Sequence, residues 1–385
     1  MIEPGVRDDA HRALRLGSLV AFAESLFFAM LSPLLPYYER HYGLSTTQLG
    51  FLSSGYMIGI IVAAIPSASL TAWLGPRASV VIGLLIMAAA TAGFGLAHAA
   101  PLLYLTRGVQ GVGSALAWAG AISWVRLLSP PDERSRRVST VLGAAYIGTA
   151  AGPILGALVL ALGARTAFLL AVGVELLLIV WAATARIEPP APEAARSQSA
   201  FLAQPRLLRP LASLILGAVL IGVVLVIQPL LAARAGAGNP VLIGGYVVFG
   251  LLAGGVAPRV GAVCDRIGGG QVAIIGLAVG AGAVLLLGTV NLLVVVALAA
   301  TILCVADAFI INALAALLAD VASSVEVRHE DSWALTNLGW CLGIALGSTV
   351  AGALAGNYAV IATVLGAAAA VGAAALIRDA RFARS

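Results

Sequence analysis

Lysine is absent from this sequence; all 22 basic residues are arginine. Charge of either sign is scarce as well. Only 10% of the 385 residues are charged, against about 25% in an ordinary soluble domain, so too few polar side chains exist to coat a soluble globule. The 3 cysteines, Cys264, Cys304 and Cys341, have no CxxC spacing, which leaves neither a disulfide framework nor a metal site to expect. The 4 histidines (His11, His41, His98 and His329) fall in loops or near the ends of apolar runs. Neither HExxH, GxSxG nor a GxxxxGKS/T phosphate loop occurs. A metal hydrolase, a serine hydrolase and a nucleotide-driven pump therefore lack the residues their chemistry requires. No enzymatic activity and no cofactor are expected.

What is abundant is apolar. Hydrophobic residues make up 61% of the chain and the mean hydropathy is +1.03. Disordered chains are poor in apolar residues, and the long apolar runs do not alternate as barrel strands do. What remains is an all-α membrane protein of many spans. The formal charge of +5 then reflects topology rather than affinity for nucleic acid, because cytoplasmic loops collect positive charge. The first apolar run continues to Tyr38 without a cleavage site, so no cleavable leader is expected.

Runs long enough to span a bilayer, roughly 20 mostly apolar residues, lie near 17–36, 48–74, 78–97, 101–126, 138–161 and 165–184. A second set lies near 210–232, 240–258, 270–289, 291–319, 332–354 and 357–377. The expected organisation is twelve spans: a six-helix bundle over 1–185, a linker over 186–209 rich in Pro, Ala, Ser and Arg, and a six-helix bundle over 210–385. With an even count both termini share one side. That side collects 18 arginines and the other 3 (Arg40, Arg165 and Arg234), with Arg107 inside span 4. The asymmetry places both termini in the cytoplasm.

The two sets are copies. Pro33-Leu34-Leu35 matches Pro229-Leu230-Leu231, Gly148-x3-Gly152 matches Gly343-x3-Gly347, and the loop Ala68–Arg77 matches Gly261–Gly270, at offsets of 196, 195 and 193. Six spans per copy give both copies the same orientation. Parallel repeats of this kind bind substrate where the halves meet and alternate access by rocking.

The loop after span 8 reads Gly261-Ala-Val-Cys-Asp265-Arg266-Ile-Gly268-Gly-Gly270. It resembles the G-x3-D-R-x-G-R-R pattern of the major facilitator superfamily without the final arginines. In the first copy Ala72 and Trp73 replace the Asp and Arg. Span 4 carries Arg107-Gly-Val-Gln110-Gly111-Val-Gly113, similar to that superfamily's R-x-x-Q-G-x-G. Span 5 carries Gly148-x3-Gly152-Pro153-x2-Gly156-Ala157, which resembles the signature of its drug:proton antiporters. Span 1, from Glu24 to Pro33 and Pro36, and span 10, with Asp307 and Asp320, resemble those of bacterial multidrug and vesicular amine exporters. Gln228 and Asn337 stand where the amine exporters have Glu and Asp. The resemblance implies a proton-coupled exporter of cationic or lipophilic small molecules in the cytoplasmic membrane, acting as a monomer, with the proton as its coupling ion. It also implies a conformational latch at Gly261, Asp265, Arg266 and Gly268.

Ionisable groups inside the hydrocarbon region point to function; here these are Glu24, Arg107, Glu175 and Asp307. A carboxyl removed from water holds a proton more readily, and a cationic substrate displaces it, so proton and cation compete for one site. Glu24 fits that role, or forms a structural ion pair with Arg107. Asp307 is either a coupling group or a structural contact. Arg107 keeps its proton and either tunes Glu24, with Gln110 beside it at i+3, or meets an anionic substrate. Glu175, in a peripheral span, is a secondary candidate beside a hydrogen-bonding role. Gln228 orients substrate or bonds within the bundle. Tyr146, Trp118 and Trp340 offer aromatic faces to a lipophilic cation or simply pack. Gly148, Gly152 and Gly156 form a stripe at i, i+4, i+8 that allows close helix approach, and Pro153 favours a kink. Together they suit a tight seam between the halves. Two other functions compete: import of a small organic anion bound by Arg107, and a non-transporting membrane sensor or scaffold.

Overall fold

The computed structural model describes residues 4–130, 133–185, 205–236, 266–289, 292–324 and 329–354, with scattered positions between 244 and 264 and between 360 and 367. Among the described residues the secondary structure is helical, with no strand. The helices are α1 (Pro4–Ala29), α2 (Leu35–Tyr42), α3 (Thr46–Leu74), α4 (Pro76–Gly95), α5 (Ala100–Leu128), α6 (Arg134–Leu162), α7 (Ala164–Thr184), α8 (Pro205–Arg234), α9 (Gly269–Thr289), α10 (Leu293–Ser324) and α11 (His329–Ala353). They provide 10 stretches long and apolar enough to cross a membrane. The spans expected near 240–258 and 357–377 lie outside the described residues, as do Gly261, Asp265 and most of the linker.

Span 1 differs from its expected form at both ends. It begins at Pro4, because Ala10, Ala13 and Leu16 give the polar first turns a buried face. It then stops at Ala29, passes through a 3-10 turn at Ser32–Leu34 and resumes as α2. Pro33 and Pro36 have no N–H to donate to the preceding turn, which ends the α-helical ladder there.

The chain divides into two compact units, Met1–Leu34 with Gly55–Arg196 and Leu35–Ser54 with Ser197–Ser385. In the first, α1 packs on α6 and α5, and α4 packs on α5 and α7. In the second, α8 packs on α11 and α10, and α9 packs on α10.

The duplication is visible atom by atom. Gly75 and Gly268, equivalent at the offset of 193, have φ of +82° and +89°, the left-handed region that glycine enters without penalty. Gly75 N donates to Thr71 O at 2.9 Å, and Gly268 N donates to the equivalent Cys264 O at 2.8 Å. The next turn repeats as well: Ser79 N to Gly75 O and Val272 N to Gly268 O are both 3.2 Å.

The glycine stripe of α6 lies against α1. A Cβ on Gly152 would stand 2.6 Å from Leu26 O and 2.7 Å from Ala29 Cβ, and one on Gly156 would stand 2.6 Å from Met30 O. The second copy repeats this seam, with Gly343 and Gly347 of α11 against Ile215 and Val219 of α8. The stripe therefore joins two helices of one unit, which corrects the expected seam between halves. Small residues specify a close approach without specifying the partner. The helix runs on through Pro153.

Candidate functional site

Four of the ionisable and amide side chains expected at a site, Glu24, Arg107, Gln110 and Glu175, belong to one polar cluster in the first unit. Helix α5 is its spine. Arg107, Gln110 and Ser114 recur at i, i+3 and i+7, which places them on one face, and all three are buried. The glycines between them set the neighbours. A Cβ on Gly111 would lie 3.0 Å from Gly59 Cα, so its absence admits α3; one on Gly113 would lie 2.9 Å from Met87 N, so its absence admits α4. The R-x-x-Q-G-x-G pattern is thus a polar face interleaved with two helix contacts.

Arg107 is 1% exposed. Its Nη1 donates to Phe27 O at 3.3 Å and to Gln110 Oε1 at 3.1 Å, and its Nη2 donates to Phe28 O at 2.9 Å. The last carbonyls of a helix lack intrahelical donors, so the guanidinium caps α1 at its proline break. Its carbon lies 4.6 Å from the centroid of the Tyr56 ring, a cation–π contact.

Glu24 of α1 is half-buried. Tyr56 Oη donates to its Oε1 at 3.5 Å, and Ser114 Oγ donates to the same oxygen. Both donors are neutral hydroxyls. They hold the carboxyl in place without contributing a charge to it, while Tyr56 carries Arg107 on its ring face.

On the far side of Arg107, Gln110 Nε2 donates to Thr91 Oγ1 of α4 at 3.0 Å, and Thr91 Oγ1 donates to Glu175 Oε1 of α7 at 3.2 Å. Glu175 is 0% exposed, whereas its neighbour Leu177 is 71% exposed. The polar side chain turns inward and the apolar ones outward, as a helix at the lipid boundary requires.

In the second unit, Asp307 of α10 and Gln228 of α8 each present a buried oxygen, Oδ1 and Oε1, with no hydrogen-bond partner among the described residues. Acceptors without donors in an apolar interior are unfavourable and suit a site completed by a donor such as an ammonium group. The aromatic candidates are dispersed. Trp118 packs on Ala21, Val125 and Val141, Trp340 packs on the second unit's core, and Tyr146 is exposed. Arg266 is exposed beside Gly268.

Sequence reasoning missed Tyr56, Ser114 and Thr91. Ser114 alone had a signal, its i+7 spacing from Arg107.

The sequence pattern described as "Major Facilitator Superfamily" matches residues 17–328. The chain is 26% identical over 146 residues to the tetracenomycin C resistance and export protein of Streptomyces glaucescens, covering 38% of this chain and 27% of that one. It is 29% identical over 150 residues to the multidrug resistance protein Stp of Mycobacterium tuberculosis, covering 37% and 28%. The match thus spans under a third of either relative's length. Among solved structures, it is similar to a bacterial homologue of the human lysosomal transporter Spinster in an inward-facing, unoccupied conformation. That likeness has a TM-score of 0.74 at 14% identity and covers 98% of this chain and 95% of the other.

Proposed function

The chain belongs to the Major Facilitator Superfamily, and on that premise we propose that this membrane transporter exports cationic or lipophilic small molecules in exchange for protons, by alternating access. The observation that carries the reading is Glu24, a half-buried carboxyl held by two neutral hydroxyls. With no fixed charge supplied by those donors, its own charge is available to a cation, and its proton and that cation exclude each other. Asp307 is the second coupling carboxyl, and Gln228 orients substrate. The two halves are six-span bundles with both termini in the cytoplasm, and Asp265 with Arg266 forms a latch on the second half alone. Resistance and export proteins among the relatives support efflux as the direction.

Proton-coupled import of an organic anion is the second reading. Arg107 would have to release the Phe27 and Phe28 carbonyls to bind an anion, which favours the cation exporter.

Proton release on binding tests the proposal. Adding a lipophilic monocation to the purified protein should release protons, and affinity should fall as pH is lowered, because protonated Glu24 offers no charge. Glu24→Gln should bind the cation weakly at every pH with no proton release. A variant that keeps the parent's pH profile and proton release would make Glu24 structural.

A further inference from the structure

The buried hydrogen bonds around Arg107 run in one direction. Arginine has no acceptor, so Gln110 turns its oxygen to the guanidinium and its N–H groups away. Gln110 Nε2 then donates to Thr91 Oγ1 at 3.0 Å, which commits the single hydroxyl proton of Thr91 to Glu175 Oε1 at 3.2 Å. Every link donates toward Glu175, so the cation fixes the direction of the run and a carboxyl oxygen accepts at its far end. Aligned donors of this kind polarise one another. Among the described residues Glu175 Oε2 has no hydrogen-bond partner, so Thr91 is the one donor to this carboxyl that the described residues supply.

The other charges on neighbouring helices are remote along the helix axes. The only charged residue of α4 is Arg77, in its first turn and bonded to Ala183 O. It lies 14 residues from Thr91, about 21 Å along a helix. Arg134, Arg136 and Arg137 of α6 sit in its first turn, and Tyr146 further along is exposed. On α5, Tyr104 and Arg126 flank the cluster from either side, and on α7 Arg165 is at the start. Helix α1 contributes Glu24, with Asp9, His11, Arg12 and Arg15 confined to its early turns, and α3 contributes Tyr56.

We propose that Glu175 is a positioning residue, the standing counter-charge of Arg107, and that it leaves Glu24 free to exchange a proton for a cation. This rests on Glu24 being the exchange site. In a dry interior an unbalanced charge is strongly unfavourable, and this cluster holds one permanent cation and two carboxyls. With Glu175 as the carboxylate, Arg107 is balanced through Gln110 and Thr91, and Glu24 rests as the neutral acid. When a monovalent cation arrives, the Glu24 O–H bond breaks, the proton leaves to water, and the carboxylate pairs with the cation. One proton leaves per cation, and the cluster has the same net charge before and after. Without Glu175, only Glu24 can balance Arg107. It is then ionised in advance, has no proton to release, and an arriving cation adds an uncompensated charge.

The test measures proton release and affinity for tetraphenylphosphonium from pH 5.5 to 8.5 on the purified full chain in lipid nanodiscs. Glu175→Gln should abolish proton release and flatten the pH dependence. Glu175→Asp, which keeps the charge, should restore both. If Glu175→Gln does not fold, Thr91→Val decides: cutting the relay should move the pH midpoint of binding lower by a readily measured amount. A parent-like profile and proton release in Glu175→Gln, or an unmoved midpoint in Thr91→Val, overturns the proposal while leaving Glu24 as the exchange site. A parent protein that binds the cation and releases no proton would instead remove the exchange reading itself.

Discussion

Tyr56 serves Glu24 and Arg107 with different parts of one side chain: its hydroxyl donates to Glu24 Oε1 at 3.5 Å, and its ring face lies 4.6 Å beneath the Arg107 guanidinium carbon. The two functions separate by substitution. Tyr56→Phe keeps the ring and removes the donor, so the protein should fold as before while Glu24 loses one of its two hydroxyl contacts. At 3.5 Å this contact is longer than an ordinary O–H···O bond and is worth about 0.5 kcal/mol at most, so cation affinity should fall by no more than about twofold. Tyr56→Leu removes the ring as well and should also lower thermal stability, by up to about 2 kcal/mol. Equal stability losses in the two variants would mean that the ring contact contributes nothing.

Asp307→Asn addresses the second unit. The change preserves size and replaces an acceptor without a described donor by an amide, so expression and thermal stability should hold within about 1 kcal/mol. Proton-coupled export measured in inside-out vesicles should be lost. Undiminished uptake against a concentration gradient would assign Asp307 a structural role.

The α1–α6 seam yields a paired test on one helix. In Gly152→Val the new side chain meets Leu26 O and Ala29 Cβ at under 3 Å, and the two backbones must separate. A loss of about 1–3 kcal/mol is expected, read as a lower unfolding temperature. Gly143 on the same helix has nothing within 4 Å of its Cβ position, so Gly143→Ala should gain about 0.5–1 kcal/mol from helix preference alone. Similar shifts in the two variants would show that the seam is not tightly packed.

Orientation is testable with a membrane-impermeant thiol reagent on intact cells, in a background lacking Cys264, Cys304 and Cys341. The arginine asymmetry predicts that His98→Cys reacts from outside and that Ser197→Cys reacts only after the membrane is opened. The reverse pattern would invert the topology.

The 10 spans that the described residues cover were legible because a run of about 20 apolar residues has few other homes. The proline break was legible only as an end. Pro33 and Pro36 mark where a helix cannot continue, but the buried Leu34, Leu35 and Tyr38 beyond let a new helix begin. The glycine stripe of α6 announced a close contact and withheld its partner, since a missing side chain carries no address. The hydroxyls of the polar cluster were hidden for another reason. A hydroxyl within an apolar span usually bonds its own preceding turn, as Thr106 Oγ1 does to Leu102 O at 2.7 Å and Thr301 Oγ1 to Ala297 O at 2.7 Å. Nothing local distinguishes Thr91 from these, and Ser114 is marked only by its i+7 spacing from Arg107, because their partners come from other helices.

The capping of α1 by Arg107 bears on how the chain is made. The carbonyls of Phe27 and Phe28 meet their donor 80 and 79 residues further along. During synthesis the first span is therefore complete while it still carries backbone oxygens that lipid cannot satisfy. Arg107, in turn, enters the bilayer as a charge with no place of rest until those oxygens are beside it. The first and fourth spans are thus obliged to wait for each other, in a wet or chaperoned setting, before either is released to lipid. A substitution at Arg107 would then be felt first as failed insertion of the nascent chain, before any transport step could be measured.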